Sequence, residues 1–328
     1  MQTMTYDEAL SAALNEEMQR DSNVVIFGEG VATLRADLVK RYGPKRVRNT
    51  PMAEGIIAGT AAGAAATGLR PVIDLLYAPF LCYAMDEIVN SAGKTRYLSG
   101  GQFSFPMVVL ARTGTGWGVG AQHNHNLEAW FVHSPGLKVV MPSTPADARG
   151  LLKAALRDEN PVLFFNDLAL GNLSGQVGDD EIELGKAAIR HAGSDITLVS
   201  YAKTVHHCIQ AASELAKQGI SAEVLDLRTL KPLDEAAILR SVRKTGRLVV
   251  VHEASRMCGV GAEIAALVSE KAFGSLREPV IRLTGPDAPA PSSYPLEQAF
   301  VPQAATIAAT AKKLVGEVFM PERFLVDA

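Results

Sequence analysis

Short apolar runs alternate with longer amphipathic stretches along this chain, and the alternation limits the fold more than any other feature. Residues 24–27 and 162–165 have the length of buried strands, whereas residues 6–20 and 145–156 carry apolar side chains at helical spacing. Strands that are apolar along their whole length, separated by helices, are typical of parallel sheets covered on both faces. The sequence therefore predicts an α/β protein.

The same pattern recurs in both halves of the 328 residues, a length that suits two domains. A polar, glycine-rich connection at residues 171–180 separates the halves, so we predict parallel-sheet domains at residues 1–175 and 190–328. Strands are predicted at residues 24–27, 71–76, 107–110, 138–141, 162–165, 196–200, 222–226, 247–252 and near residue 280. Helices are predicted at residues 6–20, 55–67, 83–97, 145–156, 204–218, 234–245, 261–273 and 304–314.

Composition narrows the class of protein. A net charge of −3 gives no support for a nucleic-acid or membrane-surface partner. Cys82, Cys208 and Cys258 are widely spaced and form no disulfide framework, which favours a reducing, cytoplasmic compartment. The N-terminus lacks the basic and apolar regions of a signal peptide, and the apolar run at residues 55–69 is shorter than the roughly 20 residues that span a bilayer.

Glu54 stands at the start of that apolar run, where Gly55, Gly59 and Gly63 predict a helix packed closely against another element. If Thr50 is the N-cap and Pro51 the first helical residue, Glu54 lies one residue beyond the capping-box position. A glutamate in a first helical turn is favoured by the helix dipole alone. A carboxyl group beside glycines can also serve a flat ligand that approaches the backbone. The local pattern leaves both interpretations open.

The order and spacing of motifs along nearly the whole chain resemble one family. It is the β subunit of the thiamine-diphosphate-dependent E1 component of 2-oxo acid dehydrogenase complexes, within the transketolase-like superfamily. The resemblance implies a thiamine pyrimidine-binding domain followed by a transketolase C-terminal-like domain. The motifs lie at residues 50–59, 68–72, 86–90, 96–103, 135–145, 226–234, 251–254, 261–264 and 284–287.

The resemblance implies that Glu54 binds the cofactor's aminopyrimidine ring and activates the cofactor. Phe80 takes the place of an aromatic residue that packs on that ring, and Leu76 stands where relatives often carry glutamine. Glu29 follows a predicted strand, where α/β ligand sites gather, and is expected at the site entrance. Phe80 as a core residue and Glu29 as a solvated loop residue remain the alternatives.

A glycine-rich loop holds the second catalytic candidate. His123 occupies the position of a family histidine that handles the substrate or the acyl intermediate, and an imidazole on a loop can act as a general acid or base. Taken alone, a loop histidine is more often structural. Asn124 and His125 replace the family's Ser-Gln, so we expect them to change the substrate pocket. No carboxylate or cysteine completes a metal site with these histidines.

The diphosphate and Mg²⁺ motif of such enzymes, Gly-Asp-Gly, does not occur in the sequence. The resemblance therefore implies an E1 α subunit that supplies most Mg²⁺ ligands, in an α₂β₂ heterotetramer. A structural K⁺ is a further expectation, held around Met107, Val109, Asp158 and Asn160.

The function that the resemblance implies is decarboxylation of a 2-oxo acid and transfer of the acyl unit to a lipoyl-bearing E2 acyltransferase. Three alternatives stay open: an acetoin dehydrogenase β subunit, half of a split transketolase-like enzyme, and a non-catalytic scaffold or regulatory subunit. NAD binding is not expected, because Gly259 and Gly261 lack the third glycine of a dinucleotide fingerprint and Ile264 stands in its place.

Overall fold

The structure of the protein is a computed structural model, in which residues 1–316 are described. The chain forms two compact units, each with its own sheet. The first unit comprises Met1–Lys186, Arg228–Leu233 and Pro289–Glu297, and the second comprises Ala187–Leu227, Asp234–Ala288 and the residues from Gln298 onward. Two later segments of the chain thus belong to the first unit. The domain boundaries predicted from the sequence are linear and do not include this return.

The strands, in chain order, are β1 (Gln2–Thr5), β2 (Val24–Gly28), β3 (Val47–Asn49), β4 (Arg70–Tyr77), β5 (Val108–Thr113), β6 (Lys138–Val140), β7 (Val162–Asp167), β8 (Ser174–Val177), β9 (Ala188–His191), β10 (Ile196–Ser200), β11 (Ala222–Asp226), β12 (Thr229–Lys231), β13 (Leu248–Ser255) and β14 (Ile281–Gly285). The α-helices are α1 (Tyr6–Arg20), α2 (Val31–Leu34), α3 (Ala36–Tyr42), α4 (Glu54–Ala66), α5 (Gly93–Leu98), α6 (Ala121–Asn124), α7 (Glu128–His133), α8 (Pro145–Arg157), α9 (Thr204–Ala216), α10 (Glu235–Thr245), α11 (Val260–Lys271), α12 (Tyr294–Phe300) and α13 (Ala304–Gly316). Within residues 1–316, no helix has both the length and the apolar character that crossing a membrane requires.

A seven-stranded sheet forms the centre of the first unit, in the order β12-β6-β7-β5-β4-β2-β3. All its neighbouring strands are parallel except the pair β12 and β6. The chain runs from β2 to β3 on one side and then places β4 on the other side of β2. The carboxyl ends of β2 and β4 therefore form a topological switch point, where open α/β sheets bind ligands.

Helix α1 shows how local sequence and burial agree in this unit. Thr5 caps the helix, because its hydroxyl accepts from the Glu8 N–H and the Glu8 carboxylate accepts from the Thr5 N–H at 2.7 Å. Apolar residues at helical spacing bury one face of α1 in a cluster shared with α3, α8 and alternate residues of the strands. The other buried residues of each strand face the opposite side of the sheet, where α4 contacts β4.

Helix α4 (Glu54–Ala66) agrees within one residue with the helix predicted at residues 55–67. Ala53 is the N-cap, without a side-chain cap, and Glu54 is the first helical residue, so the alternative with Thr50 as N-cap does not occur. A β-carbon on Gly55 would lie 3.0 Å from the Tyr83 carbonyl oxygen, and one on Gly59 would lie 3.4 Å from the Glu87 carboxyl group. The small residues thus permit the close helix packing that their spacing predicts.

The helix predicted at residues 83–97 is not a single regular α-helix. A 3₁₀ segment (Ala78–Ala84), a π-helical segment (Asp86–Ala92) and α5 follow one another. Gly93 lies against residues of another segment, since an added β-carbon would be 3.1 Å from Leu137 and 3.4 Å from the Pro135 carbonyl oxygen. Packing against α4 and residues 135–137 sets the path of this segment, which periodicity alone cannot report.

The second unit contains a five-stranded sheet in the order β14-β13-β10-β11-β9, with β9 as an antiparallel edge. Helices α9 and α13 cover one face and share a buried cluster with residues such as Leu198, Val224 and Val251. His252 lies at the centre of the unit, fully buried and stacked on Tyr201. Because the Gly261 N–H donates to His252 Nε2, the other ring nitrogen carries the proton and donates to the Ala254 carbonyl.

Gly259 and Gly261 do not form a complete dinucleotide-binding fingerprint. In the structure they have a packing role. A β-carbon on Gly261 would lie 2.6 Å from His252 Nε2, and one on Gly259 would lie 2.5 Å from the Ser255 carbonyl oxygen. Only glycine at these positions lets the start of α11 approach the buried imidazole so closely.

We expect Gly261→Ala to lower the free energy of unfolding of the second unit by about 2 kcal/mol, because the new methyl group overlaps the His252 ring. Urea denaturation followed by circular dichroism measures the effect. Gly274→Ala is the control: no atom lies within 4 Å of its added β-carbon, so its effect should stay within about 0.5 kcal/mol. Equal effects of the two substitutions would contradict this account.

The buried imidazole also predicts a pH dependence. Burial lowers the pKa of His252 to about 4 from an ordinary value near 6.5, so the unfolded chain takes up this proton before the folded chain does. The contribution to stability is complete above pH 6.5 and is lost as pH falls from 6.5 toward 4, by about 2 kcal/mol between pH 7.5 and 5. In His252→Gln, whose new side chain does not titrate, the difference between the urea midpoints at the two pH values should become smaller. A variant with the full wild-type pH dependence would show that His252 is not the source.

Candidate active site

The carboxyl edge of the seven-stranded sheet gathers most of the predicted site residues. Glu29 directly follows β2, the end of β4 carries Leu76 and leads to Phe80, and the loop after β5 leads to His123. Asn166 lies near the end of β7, paired in register with Arg112 of β5. Since parallel strands place their carboxyl ends at one edge, residues far apart in sequence meet there.

Glu54 and Glu29 form the acidic part of this edge. Glu54 is half-buried at the N-terminus of α4, and Glu29 is buried with its Oε1 atom unpartnered among the described residues. Burial raises the pKa of Glu29, and the nearby charge of Glu54 raises it further. Glu29 is therefore not the solvated loop residue of the alternative interpretation.

Leu76 occupies a constrained backbone position at the end of β4. Its φ of 60° lies in the left-handed region, which a branched residue rarely adopts. The Leu76 N–H donates to Asp74 Oδ1 at 3.1 Å, and the other carboxylate oxygen of Asp74 pairs with Arg35 at 3.2 Å. This buried Asp74–Arg35 pair supports the irregular turn and sets the direction of the chain that continues to Phe80.

An aromatic cluster joins two of the predicted residues. The His123 ring packs edge-on against Phe80, with 5.3 Å between ring centroids, and against Tyr77 at 4.8 Å. Tyr77 and Phe80 also meet edge-to-face at 6.1 Å. Phe80 is half-buried in this cluster rather than enclosed in the core. The sequence interpretation missed Tyr77, although its position at the end of β4 was a usable signal.

The two residues that follow His123 lie in different environments. Asn124 is buried, and its side-chain amide donates to Glu297 Oε1 at 3.1 Å. His125 is exposed, and partial desolvation of the ring lowers its pKa, which favours the neutral imidazole. The sequence interpretation also missed Glu297, because nothing local connects it with residues 173 positions earlier.

Of the residues predicted around a K⁺ ion, Asp158 and Asn160 have side chains with protein partners, whereas Met107 and Val109 are buried. The Met107 carbonyl accepts from the Val162 N–H at 2.9 Å, and Val109 is buried in β5. The Asp158 carboxylate pairs with Lys138 and accepts from Asn160 at 2.9 Å. Within residues 1–316, no group of three or more histidine, cysteine, aspartate or glutamate residues could hold a metal ion.

Comparison with known proteins agrees with this arrangement in both units. Residues 2–169 match the model of the transketolase pyrimidine binding domain, and residues 185–307 match that of the transketolase C-terminal domain. The β-2 subunit of the mitochondrial pyruvate dehydrogenase E1 component of Oryza sativa is 46% identical, over 94% of this chain and 86% of the relative. The chain belongs to the E1 β-subunit family of transketolase-like proteins.

Two other proteins are also similar to this E1 β-type chain. The β subunit of acetoin:2,6-dichlorophenolindophenol oxidoreductase of Cupriavidus necator is 42% identical, over 93% of this chain and 95% of the relative. A solved structure described as a split gene transketolase, inactive β₄ tetramer, has a TM-score of 0.82 at 25% identity, covering 96% of this chain and 99% of that one. The predicted family and the two-domain α/β fold are thus confirmed.

The charge interaction between the two glutamates of this E1 β-type chain can be tested directly. In Glu54→Gln, we expect the pKa of Glu29 to fall toward, but not reach, its ordinary value, because burial still raises it. Carbon-13 NMR of the glutamate carboxyl groups, assigned with Glu29→Gln, measures the pKa. Glu263→Gln, on the exposed side of α11, is the matched control and should leave it unchanged. An unaltered Glu29 pKa in Glu54→Gln would show that the two side chains do not interact.

Proposed function

We propose that this chain is the β subunit of a thiamine-diphosphate-dependent 2-oxo acid dehydrogenase E1 component. With an α subunit, it decarboxylates a 2-oxo acid and passes the acyl unit to a lipoyl-bearing E2 acyltransferase. One observation carries the proposal: Glu54 begins α4 at the switch-point edge of the sheet, and its charge raises the pKa of buried Glu29. The similarity to named E1 β subunits over nearly the whole chain supports the same function.

The residues at this edge fit the pyrimidine part of thiamine diphosphate. A flat, polar ring needs an apolar wall and hydrogen-bonding groups at its edge. Phe80 and Leu76 offer the wall, and buried oxygen atoms of Glu29, Thr50 and Asn166 have no partner among residues 1–316. When bound, thiamine diphosphate would supply the nucleophilic carbon and accept the electron pair that stays behind when CO₂ leaves.

The chain's own carboxyl groups handle a proton in this proposal. Glu54 would hold a ring nitrogen of the bound pyrimidine and exchange a proton with it. Glu29 lies beside it, and its raised pKa increases the fraction of protonated carboxyl groups. A protonated Glu29 can donate a hydrogen bond without placing a second negative charge next to Glu54.

His123 acts on the substrate side as a general acid or base. Its imidazole is held edge-on by Tyr77 and Phe80, so that the ring has a defined orientation on the one-turn helix α6. His125 is exposed with a lowered pKa, which makes it a neutral donor or acceptor for a substrate that reaches the loop.

A second polypeptide completes the site in this proposal. The sequence has no Gly-Asp-Gly motif, so we assign the diphosphate and most Mg²⁺ ligands to an α subunit in an α₂β₂ assembly. Three exposed apolar side chains lie near Glu54. Met52 and Ile56 are each two residues from it in the sequence, and Tyr83 lies against α4. Their exposed fractions are 79%, 73% and 73%, respectively. Exposed apolar side chains next to a site are typical of a surface that another protein covers.

K⁺ remains part of the proposal only as an ion held by main-chain oxygens. The Asp158 carboxylate already pairs with Lys138, and the Asn160 side-chain oxygen accepts from Arg96 at 3.1 Å. Carbonyl groups near Met107 and Val109 are the remaining ligands of the type that K⁺ prefers.

Two other functions are favoured by particular observations. The 42% identity with the acetoin:2,6-dichlorophenolindophenol oxidoreductase subunit favours an acetoin-type substrate as the second candidate. The fold of the split transketolase chain favours transfer of a ketol unit without lipoamide as the third. Turnover assays of the assembled protein with 2-oxo acids, acetoin and ketoses, each with an artificial electron acceptor, separate these from a non-catalytic subunit.

Glu54→Gln should lower kcat of the assembled α₂β₂ enzyme about 100-fold or more, because the amide cannot exchange a proton with the cofactor. Steady-state kinetics with saturating thiamine diphosphate and Mg²⁺ measures the change. Glu263→Gln, also in the first turn of a helix, is the matched control and should retain wild-type turnover. Unchanged turnover in Glu54→Gln would refute the catalytic role.

A further inference from the structure

Glu297 lies in α12, near the end of the described chain, yet it belongs to the first unit and is only 1% exposed. Its Oε1 atom accepts three hydrogen bonds from the His123 loop, which comprises residues 116–124 and ends in the one-turn helix α6. The donors are the main-chain N–H groups of Gly116 and Gly118 and the side-chain amide of Asn124, each at 3.1 Å. A buried carboxylate with three donors is a strong attachment point for a loop.

The loop contains three glycines within five residues, Gly116, Gly118 and Gly120. Gly116, Gly118 and Gly120 have φ angles of 130°, 66° and 77°, a backbone that other residues rarely adopt. Glycine chains lose the most conformational entropy when they become ordered, so such a loop needs external contacts to remain fixed.

The segment before Glu297 supplies a second contact. A β-carbon on Gly118 would lie 3.0 Å from the Ser292 carbonyl oxygen, and one on Gly120 would lie 3.5 Å from the Ser292 side chain. Residues Pro289–Glu297 therefore lie directly against the glycine-rich part of the loop. Two contacts therefore hold the loop: the hydrogen bonds to the Glu297 carboxylate and the close packing against Ser292.

We propose that Glu297 is a positioning residue for the His123 loop, with Asn124 as its side-chain partner. Asn124 is buried against Glu297, so its replacement of the family's serine acts on the order of the loop instead of on contact with substrate. The catalytic consequence rests on the proposed function of His123. The structural consequence does not, because it concerns the loop alone.

Trp117 provides a reporter for the structural consequence. It lies between two of the tethered glycines and is 53% exposed, and the chain has only two tryptophans. In a Trp130→Phe background, time-resolved fluorescence anisotropy of the full-length chain reports local motion of Trp117. Glu297→Ala should increase the amplitude of that motion about twofold, and Asn124→Ala should produce a smaller increase because two main-chain donors remain.

Matched variants separate loop tethering from general loss of structure. Gln298→Ala changes an exposed neighbour on α12 and should leave Trp117 motion unchanged. Glu297→Gln retains an acceptor oxygen and should keep Trp117 motion close to that of wild type. Trp117 motion equal to that of wild type in a folded Glu297→Ala would overturn the proposal. If Glu297→Ala does not fold, wild-type motion in Asn124→Ala would overturn it instead.

The catalytic consequence is read in the assembled enzyme. Glu297→Ala should lower kcat about tenfold with little change in KM, since a misplaced His123 affects the reaction more than substrate binding. The double variant Glu297→Ala, Asn124→Ala should lose no more activity than Glu297→Ala, because both changes remove the same contact. Additive losses would contradict coupling through Asn124. A mobile Trp117 with normal kcat would keep the tether and refute the assigned role of His123.

Discussion

The parallel pairing of β2 with β4 is the constraint on which the candidate site depends. Its register places Gly28 beside Asp74, and a β-carbon on Gly28 would lie 2.2 Å from the Asp74 carbonyl oxygen. Only glycine permits this approach, so the two strands end side by side. Glu29 leaves one strand and the turn at Leu76 leaves the other, which puts a carboxyl group and the aromatic residues of the site at the same edge.

Burial and charge then divide roles among groups that look alike in sequence. Glu29 and Glu54 are both glutamates near strand or helix ends, but Glu29 is the buried one whose pKa is raised. His123 and His125 are two residues apart, yet His123 is held by aromatic rings while His125 is exposed. His252 is structural, since both ring nitrogens are used within the second unit. Environment, not residue type, assigns the chemistry.

Periodicity predicted most of the architecture because helices and strands bury regular faces. Helix α1 and the strands β10 and β11 agree with the predicted residues at both ends. Differences arose where tertiary packing overrides local preference: α4 starts without a side-chain cap, and residues 78–98 change helix type twice. Capping rules describe an isolated helix, whereas these segments are fixed by contacts between Gly55 and Tyr83 and around Gly93.

The sequence by itself determined the α/β class and the family, because strand and helix periods and the order of motifs are properties of the linear chain. It also predicted Glu54, Phe80 and His123 as site residues. Only the tertiary structure decided which groups act together. Tyr77 joins His123 through ring packing, Glu54 influences Glu29 through space, and Glu297 reaches Asn124 across 173 residues of sequence. Distances, burial and shared hydrogen bonds exist only after the chain folds, and no local pattern records them.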